Sequence, residues 1–172
     1  MKKLIRNATF ESNSSSSHSL LIRKPGVMCY SHIKAELYDN LVHIKFDEFG
    51  WGIDTYYDAM TKLSYAVTMV AETEKFNSED EFYNTDGMKA INELIQEKCH
   101  CNGVVIDYPN FQTESYTWGG KTIYYMSHNG YIDHQSCECY DSLQDFLDDW
   151  NITLERFIFD DNVGLLIDND NH

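Results

Sequence analysis

The sequence predicts an α+β fold: a single acidic domain, residues 1–172, with a mainly antiparallel sheet packed with about three helices. Three observations point there. A chain of 172 residues has the length of one domain. Apolar residues recur with both the two-residue period of strands and the longer period of helices. The order of these segments is strand, strand, helix, helix, strand, strand, helix, strand, strand, which lacks the strict βαβ alternation of a doubly wound sheet.

Each element has a local reason. Leu20–Arg23 and Val42–Phe46 read as strands. In the second, Val42, Ile44 and Phe46 alternate with His43 and Lys45. Gly50 and Gly52 break the chain around Trp51. Asp54 is placed to cap a helix reaching about Glu72, with Tyr56, Met60, Leu63, Val67 and Val70 on one core-facing stripe. A second helix runs from about Asp86 to Lys98, with Met88, Ile91 and Ile95 inward and Leu94 alongside. Gly103 precedes the strand Val104–Asp107. Phe111–Gly120 is polar and aromatic and reads as a hairpin whose tip is Gly119-Gly120, and Ile123–Met126 is a strand. Asp141 and Gln144 stand at capping-box spacing before Leu143, Phe146, Leu147 and Trp150. Arg156–Phe159 and Val163–Ile167 read as two short strands joined at Asp160–Asn162. The serine-rich run from Ser12 to Ser19 resembles a flexible linker in composition. Its position between Leu4–Ile5 and Leu20–Ile22 predicts an ordered turn instead.

Hydrophobic residues make up 42% of the chain and aromatics 14%, too much for a disordered acidic tail. No stretch approaches the roughly 18 apolar residues of a membrane span. Met1–Ile5 looks like the start of a signal peptide, but Arg6 and Asn7 interrupt it. The expected setting is therefore a cytoplasm, with no membrane partner. The formal net charge is −15, and residues 101–172 hold 13 acids against only Lys121 and Arg156. Such a surface repels phosphates, so nucleic acid is not expected as a direct partner. Solvation alone can explain the charge, as can cation binding. The sharper reading is an acidic face that competes for a basic groove on another protein, with Asp148, Asp149, Asp160 and Asp161 as its candidate residues.

Five cysteines, an odd number, predict free thiols in a reducing compartment. Cys99 and Cys101 with Cys137 and Cys139 form two Cys-x-Cys pairs that could surround one zinc ion, although the usual zinc spacing leaves two or more residues between paired cysteines. Zinc is the one cofactor this composition brings into view. A disulfide between the pairs is a further alternative. Cys29 reads as a small packed hydrophobe.

Clustered hydroxyls, an amide, an arginine and a histidine fill the segment from Arg6 to Ser19. Such groups can satisfy one another or surround an anion. Phe10-Glu11-Ser12-Asn13-Ser14-Ser15-Ser16-Ser17-His18-Ser19 resembles the opening of a group of small proteins of tailed bacteriophages and of bacterial genomes carrying their remnants. Lys62-Leu63-Ser64-Tyr65, Gly130-Tyr131-Ile132-Asp133-His134-Gln135-Ser136 and Asp168-Asn169-Asp170 are similar to later pieces of the same group. The resemblance implies a viral or prophage origin and no particular activity.

Two functional expectations follow. One is a viral accessory protein that works in the host bacterial cytoplasm and binds a host protein with a basic surface, such as a nuclease or defence complex, through the acidic carboxyl-terminal half. The other is a small enzyme acting on a nucleotide-like or amide-bearing substrate. Its catalytic candidates are Arg6 to hold an anion, His18 and His134 to move a proton, and Asp133 to orient a histidine. Glu11, Asn13, Ser14, Ser15, Gln135, Ser136, Asp168 and Asp170 would line the pocket. That enzyme requires the serine-rich segment, the Asp133–Ser136 segment and the Asp168–Asp170 ending to converge. A purely structural polar network is the competing explanation, since such turns commonly cap backbone groups.

Overall fold

A computed structural model describes residues 16–24, 27–50, 52–132 and 140–169. It is α+β, with five helices and nine strands among the described residues. β1 (Ser16–Ile22), β9 (Val163–Asn169) and β4 (Asp54–Tyr56) form an antiparallel sheet with β9 in the middle. β2 (Val42–Ile44) pairs in parallel with β5 (Val104–Ile106), and β3 (Glu48–Phe49) in parallel with β8 (Tyr131–Ile132). β6 (Gln112–Trp118) and β7 (Lys121–Ser127) form a separate antiparallel hairpin. The parallel pairs need crossovers, and the helices between β2 and β5 supply one.

The helix α1 (Ala59–Thr73) is the centre of the molecule. It starts later than expected. Asp54 does not cap it, because Asp54–Tyr56 are used as β4 against β9. Asp58 is the cap, its carboxylate accepting the Thr61 N–H at 2.8 Å. Of the expected stripe, Leu63, Val67 and Val70 are buried, whereas Met60 is 39% exposed and Tyr56 belongs to β4. The stripe understates the burial. Helices and short strands surround α1 on several sides, so its polar Lys62, Ser64 and Thr68 are buried as well.

The helix α2 (Glu79–Tyr83), not anticipated in the sequence, is capped by Ser78. The helix α3 (Asp86–Cys99) matches expectation, starts at the Thr85 cap and ends at His100 in the left-handed conformation. Its inner Met88, Ile91 and Ile95 are fully buried. In α4 (Leu143–Asp149) the cap is Ser142, not Asp141, because the Ser142 Oγ accepts the Asp145 N–H at 3.1 Å. The expected strand Arg156–Phe159 is instead the helix α5 (Leu154–Phe159). Phe157, Ile158 and Phe159 are all buried, and a short apolar run of this kind does not by itself distinguish strand from helix. Thr153 decides it by capping the Arg156 N–H at 3.2 Å.

The serine run gives another correction. Ser16–Ser19 are not a turn but the first half of β1, paired with Leu166–Asn169; Ser12–Ser15 lie outside the described residues. Before β8, Gly130 has φ +75°, and a Cβ there would stand 2.6 Å from the Asp47 carbonyl oxygen, so the approach of this loop to β3 depends on glycine.

Candidate functional site

His18 and Leu20 alternate with Ser17 and Ser19 along β1, and the first pair points into the core. His18 is only 7% exposed. Its Nδ1 lies 2.9 Å from the Tyr65 hydroxyl and the two rings are 5.6 Å apart. Tyr65 projects from α1 and packs against Phe49, Phe146 and Phe157. Burial first, then the Tyr140 and Glu72 charges, raises its phenol well above the usual 10.0. The Tyr65 phenol is thus a neutral, buried hydrogen-bond partner of His18.

Tyr65 and Glu72 are two turns apart on one face of α1. Glu72 Oε1 accepts the Ile132 N–H at 2.7 Å, and Tyr140 packs on Phe146, which in turn touches Tyr65. The flanks of the two polar segments therefore meet this face: His18 from one, Ile132 and Tyr140 from the other. Arg6, Glu11, Asn13, Ser14, Ser15, Asp133, His134, Gln135, Ser136 and Asp170 lie outside the described residues. Asp168 does not join His18. It is paired with Ser17, whereas His18 is paired with buried Ile167. Cross-strand partners share a face and successive residues alternate, so Asp168 and His18 occupy opposite faces of the sheet. The expected pocket containing both is corrected on this geometry.

The Lys62–Tyr65 segment is a set of internal braces. Lys62 Nζ donates to the Asp160 and Val163 carbonyls at 2.9 and 3.0 Å, and burial lowers its pKa to about 8 despite nearby Asp161, Asp160 and Asp58. Ser64 donates to the Lys45 carbonyl at 2.7 Å. These polar groups satisfy the backbone of neighbouring elements rather than lining a cavity.

Cys99 and Cys101 follow one another at the end of α3, both half-buried and unpaired. Burial, with Cys101 nearby, raises the Cys99 thiol to about 11. Cys101 donates through sulfur to the Ile95 and Gly103 carbonyls, each 3.7 Å away. Cys137 and Cys139 lie outside the described residues, and no group of three or more metal-binding side chains occurs among those described.

Asp148 and Asp149 are exposed on α4, opposite buried Leu143, Phe146 and Leu147, and Asp161 is half-buried. Asp160 is removed from the candidate contact face because it has no exposed surface. Its carboxylate accepts from the Cys29 N–H at 3.0 Å, the Asn162 N–H at 2.9 Å and Arg156 Nε at 3.2 Å. Burial pushes its pKa up, but those hydrogen bonds win and hold it below the ordinary value. It is the lock of the α5–β9 turn.

Two features escaped the sequence reading. His43 Nδ1 lies 2.8 Å from Asp107 and Nε2 2.8 Å from Asp39 and from the Tyr38 hydroxyl. The bonds to Asp107 and then Asp39 raise its pKa against partial burial. Two carboxylates favour the doubly protonated ring, so this arrangement is a clamp rather than a base with a free lone pair. The i, i+4 spacing of Asp39 and His43 was the only local signal; pairing of β2 with β5 supplies Asp107.

The second feature is a groove of about 890 Å³ between the carboxyl end of α1 and the β6–β7 hairpin. Phe76, Tyr124, Met126 and Tyr140 supply its apolar walls, and Glu72, Glu74 and Asp141 supply carboxylates. The hairpin carries Trp118, 76% exposed, and Tyr124, 70% exposed. Its Gly119-Gly120 tip has positive φ at both residues, as the expected two-residue turn requires. No family model, curated protein or solved structure matches the chain.

Proposed function

We propose that the protein is a non-enzymatic viral accessory protein that binds a host protein with a basic surface inside the bacterial cytoplasm. The observation that carries this reading is the separation of faces on α4. Leu143, Phe146 and Leu147 enter the core while Asp145, Asp148 and Asp149 remain at the surface, in a chain of net charge −15. Fixed carboxylates on a packed helix form a preorganised electrostatic surface, which steers a cationic partner and selects against an anionic one. A host nuclease or defence complex, whose nucleic-acid groove is basic, offers the matching chemistry. The resemblance of the amino-terminal segment to phage and prophage proteins supports the setting.

The test is capture of a partner from bacterial lysate, reconstitution with the purified partner, and comparison with Asp148→Lys/Asp149→Lys. The changes fall at the carboxyl end of α4, where lysine suits the helix dipole, so folding should survive. The expected result is a loss of affinity of about tenfold or more, largest at low salt. Unchanged affinity of the charge-reversed protein rejects the acidic-face reading.

One observation favours the enzymatic alternative: the described flanks of the two polar segments meet on the Tyr65–Glu72 face of α1. In that reading His134→Ala abolishes turnover of a nucleotide-like or amide-bearing substrate while the melting temperature is retained. An unfolded variant would instead mark His134 as structural.

A further inference from the structure

We propose that the protein forms a two-fold dimer in which the aromatic face of the β6–β7 hairpin packs on the same face of a second copy. This goes beyond the acidic-face reading and does not depend on it. The ladder decides which side chains share a face. Tyr116 is opposite Ile123, Glu114 opposite Tyr125, and Trp118 opposite Lys121, and cross-strand partners point the same way. The Tyr125 hydroxyl donates to Glu114 at 2.8 Å, and the Tyr116 and Tyr125 rings lie 6.0 Å apart, as one shared face requires. Thr113, Ser115, Thr117 and Thr122 turn to the other side, where the Thr117 and Thr122 hydroxyls meet.

Three observations select a second copy as the occupant. The first is area. Tyr116, Trp118, Ile123 and Tyr125 are 53%, 76%, 38% and 45% exposed, so together they present about 450 Å² to solvent, a size at which an apolar patch marks an interaction surface. Two such faces and their polar rims bury about 1,200 Å² in total, which meets the lower bound for a specific protein pair. The second is the state of the hairpin. A two-stranded hairpin without another layer is only marginally stable. Among the described residues β6 pairs only with β7, and every residue of β6 is exposed. A second copy supplies the missing layer.

The third is charge. The chain carries −15, so two copies repel over most of their surface. Residues 112–127 hold one acid, Glu114, and one base, Lys121. This neutral stretch lets copies approach, and it offers no net attraction to a basic protein or to a phosphate backbone. Glu114 stands near the base of the hairpin and Lys121 at its tip, about 13 Å apart within one copy. Two hairpins packed tip to base set each Lys121 beside the partner's Glu114, with Tyr116 and Ile123 near the two-fold axis. Such self-complementarity is what an isologous interface demands.

The test is sedimentation velocity of the full chain in reductant, from low micromolar to several hundred micromolar protein. A reversible monomer–dimer equilibrium is expected, tighter at high salt because salt screens the repulsion between two anionic copies. Tyr116→Ser/Trp118→Ser should weaken dimerisation about tenfold or more. Glu114→Lys and Lys121→Glu should each weaken self-association about threefold or more, and mixing these two variants should restore it, since only the mixed pair sets opposite charges together at both ends. The mixing result keeps the proposal testable even if the aromatic variant loses its hairpin. Asp148→Asn/Asp149→Asn on α4 should not weaken the dimer. Circular dichroism verifies that each variant is folded. The proposal is overturned if the wild type stays monomeric throughout, whatever else covers the face. It is also overturned if the aromatic variant dimerises as well as the wild type, or if the mixed charge variants associate no better than either alone.

Discussion

Lys62 enters the core and its Nζ donates to two carbonyls of the α5–β9 connection. Lys62→Met fits the apolar surroundings but leaves those carbonyls without their donor, so a loss of about 2 kcal/mol in urea unfolding is expected. The amine also imposes a pH dependence of definite sign. Its pKa falls from 10.5 in the unfolded chain to about 8 in the folded one. Between those values the unfolded chain binds more protons, so this contribution to stability grows as pH rises through that window and is lost as pH falls through 8. The stability gap between wild type and Lys62→Met should therefore widen from pH 7 to 9.5. His43 has the opposite sign. Its folded pKa is raised above the usual 6.5 by Asp107 and Asp39, so its contribution is complete below 6.5 and disappears as pH rises through the folded value. Unfolding measured across that range should show this slope in the wild type and a flatter one in His43→Gln.

At the scale of elements, α5 shows how little separates a helix from a strand in a six-residue segment that ends in the apolar run Phe157–Phe159. The Thr153 cap and the joint burial of Phe157, Ile158 and Phe159 favour the helix. Thr153→Ala removes the cap and should lower stability by about 1 kcal/mol in denaturant titration, with Thr153→Ser restoring most of it. The same competition explains why α1 begins at Ala59. Asp54 and Asp58 are both competent caps, but Asp54–Tyr56 gain ladder hydrogen bonds with β9, a partner more than a hundred residues away. The hairpin is the converse case. Its Gly119-Gly120 turn is local, and its register follows from that turn, so the turn and β7 were legible from sequence. Their exposure was not, since nothing in a run of tyrosines and threonines says whether another layer covers them.

Across the molecule, acidity separates into two classes that composition alone merges. Asp148 and Asp149 stay on the surface, whereas Asp160 is withdrawn to order a turn through Cys29, Asn162 and Arg156. The candidate site divides in a similar way. The amphipathic pattern of α3, the alternation of β2 and the tip of the hairpin are periodic or local signals, so the sequence alone determined the α+β class and the positions of these elements. It also determined the net charge of −15. Tertiary structure alone decided that His18 and Asp168 lie on opposite faces of one ladder, that Lys62 is an internal brace, and that the end of α1 meets β7 in a groove. Each of these depends on contacts between residues far apart in the chain, whose free energy comes from burial and hydrogen-bond geometry. A linear pattern records the period of an element but not which distant surface will cover it.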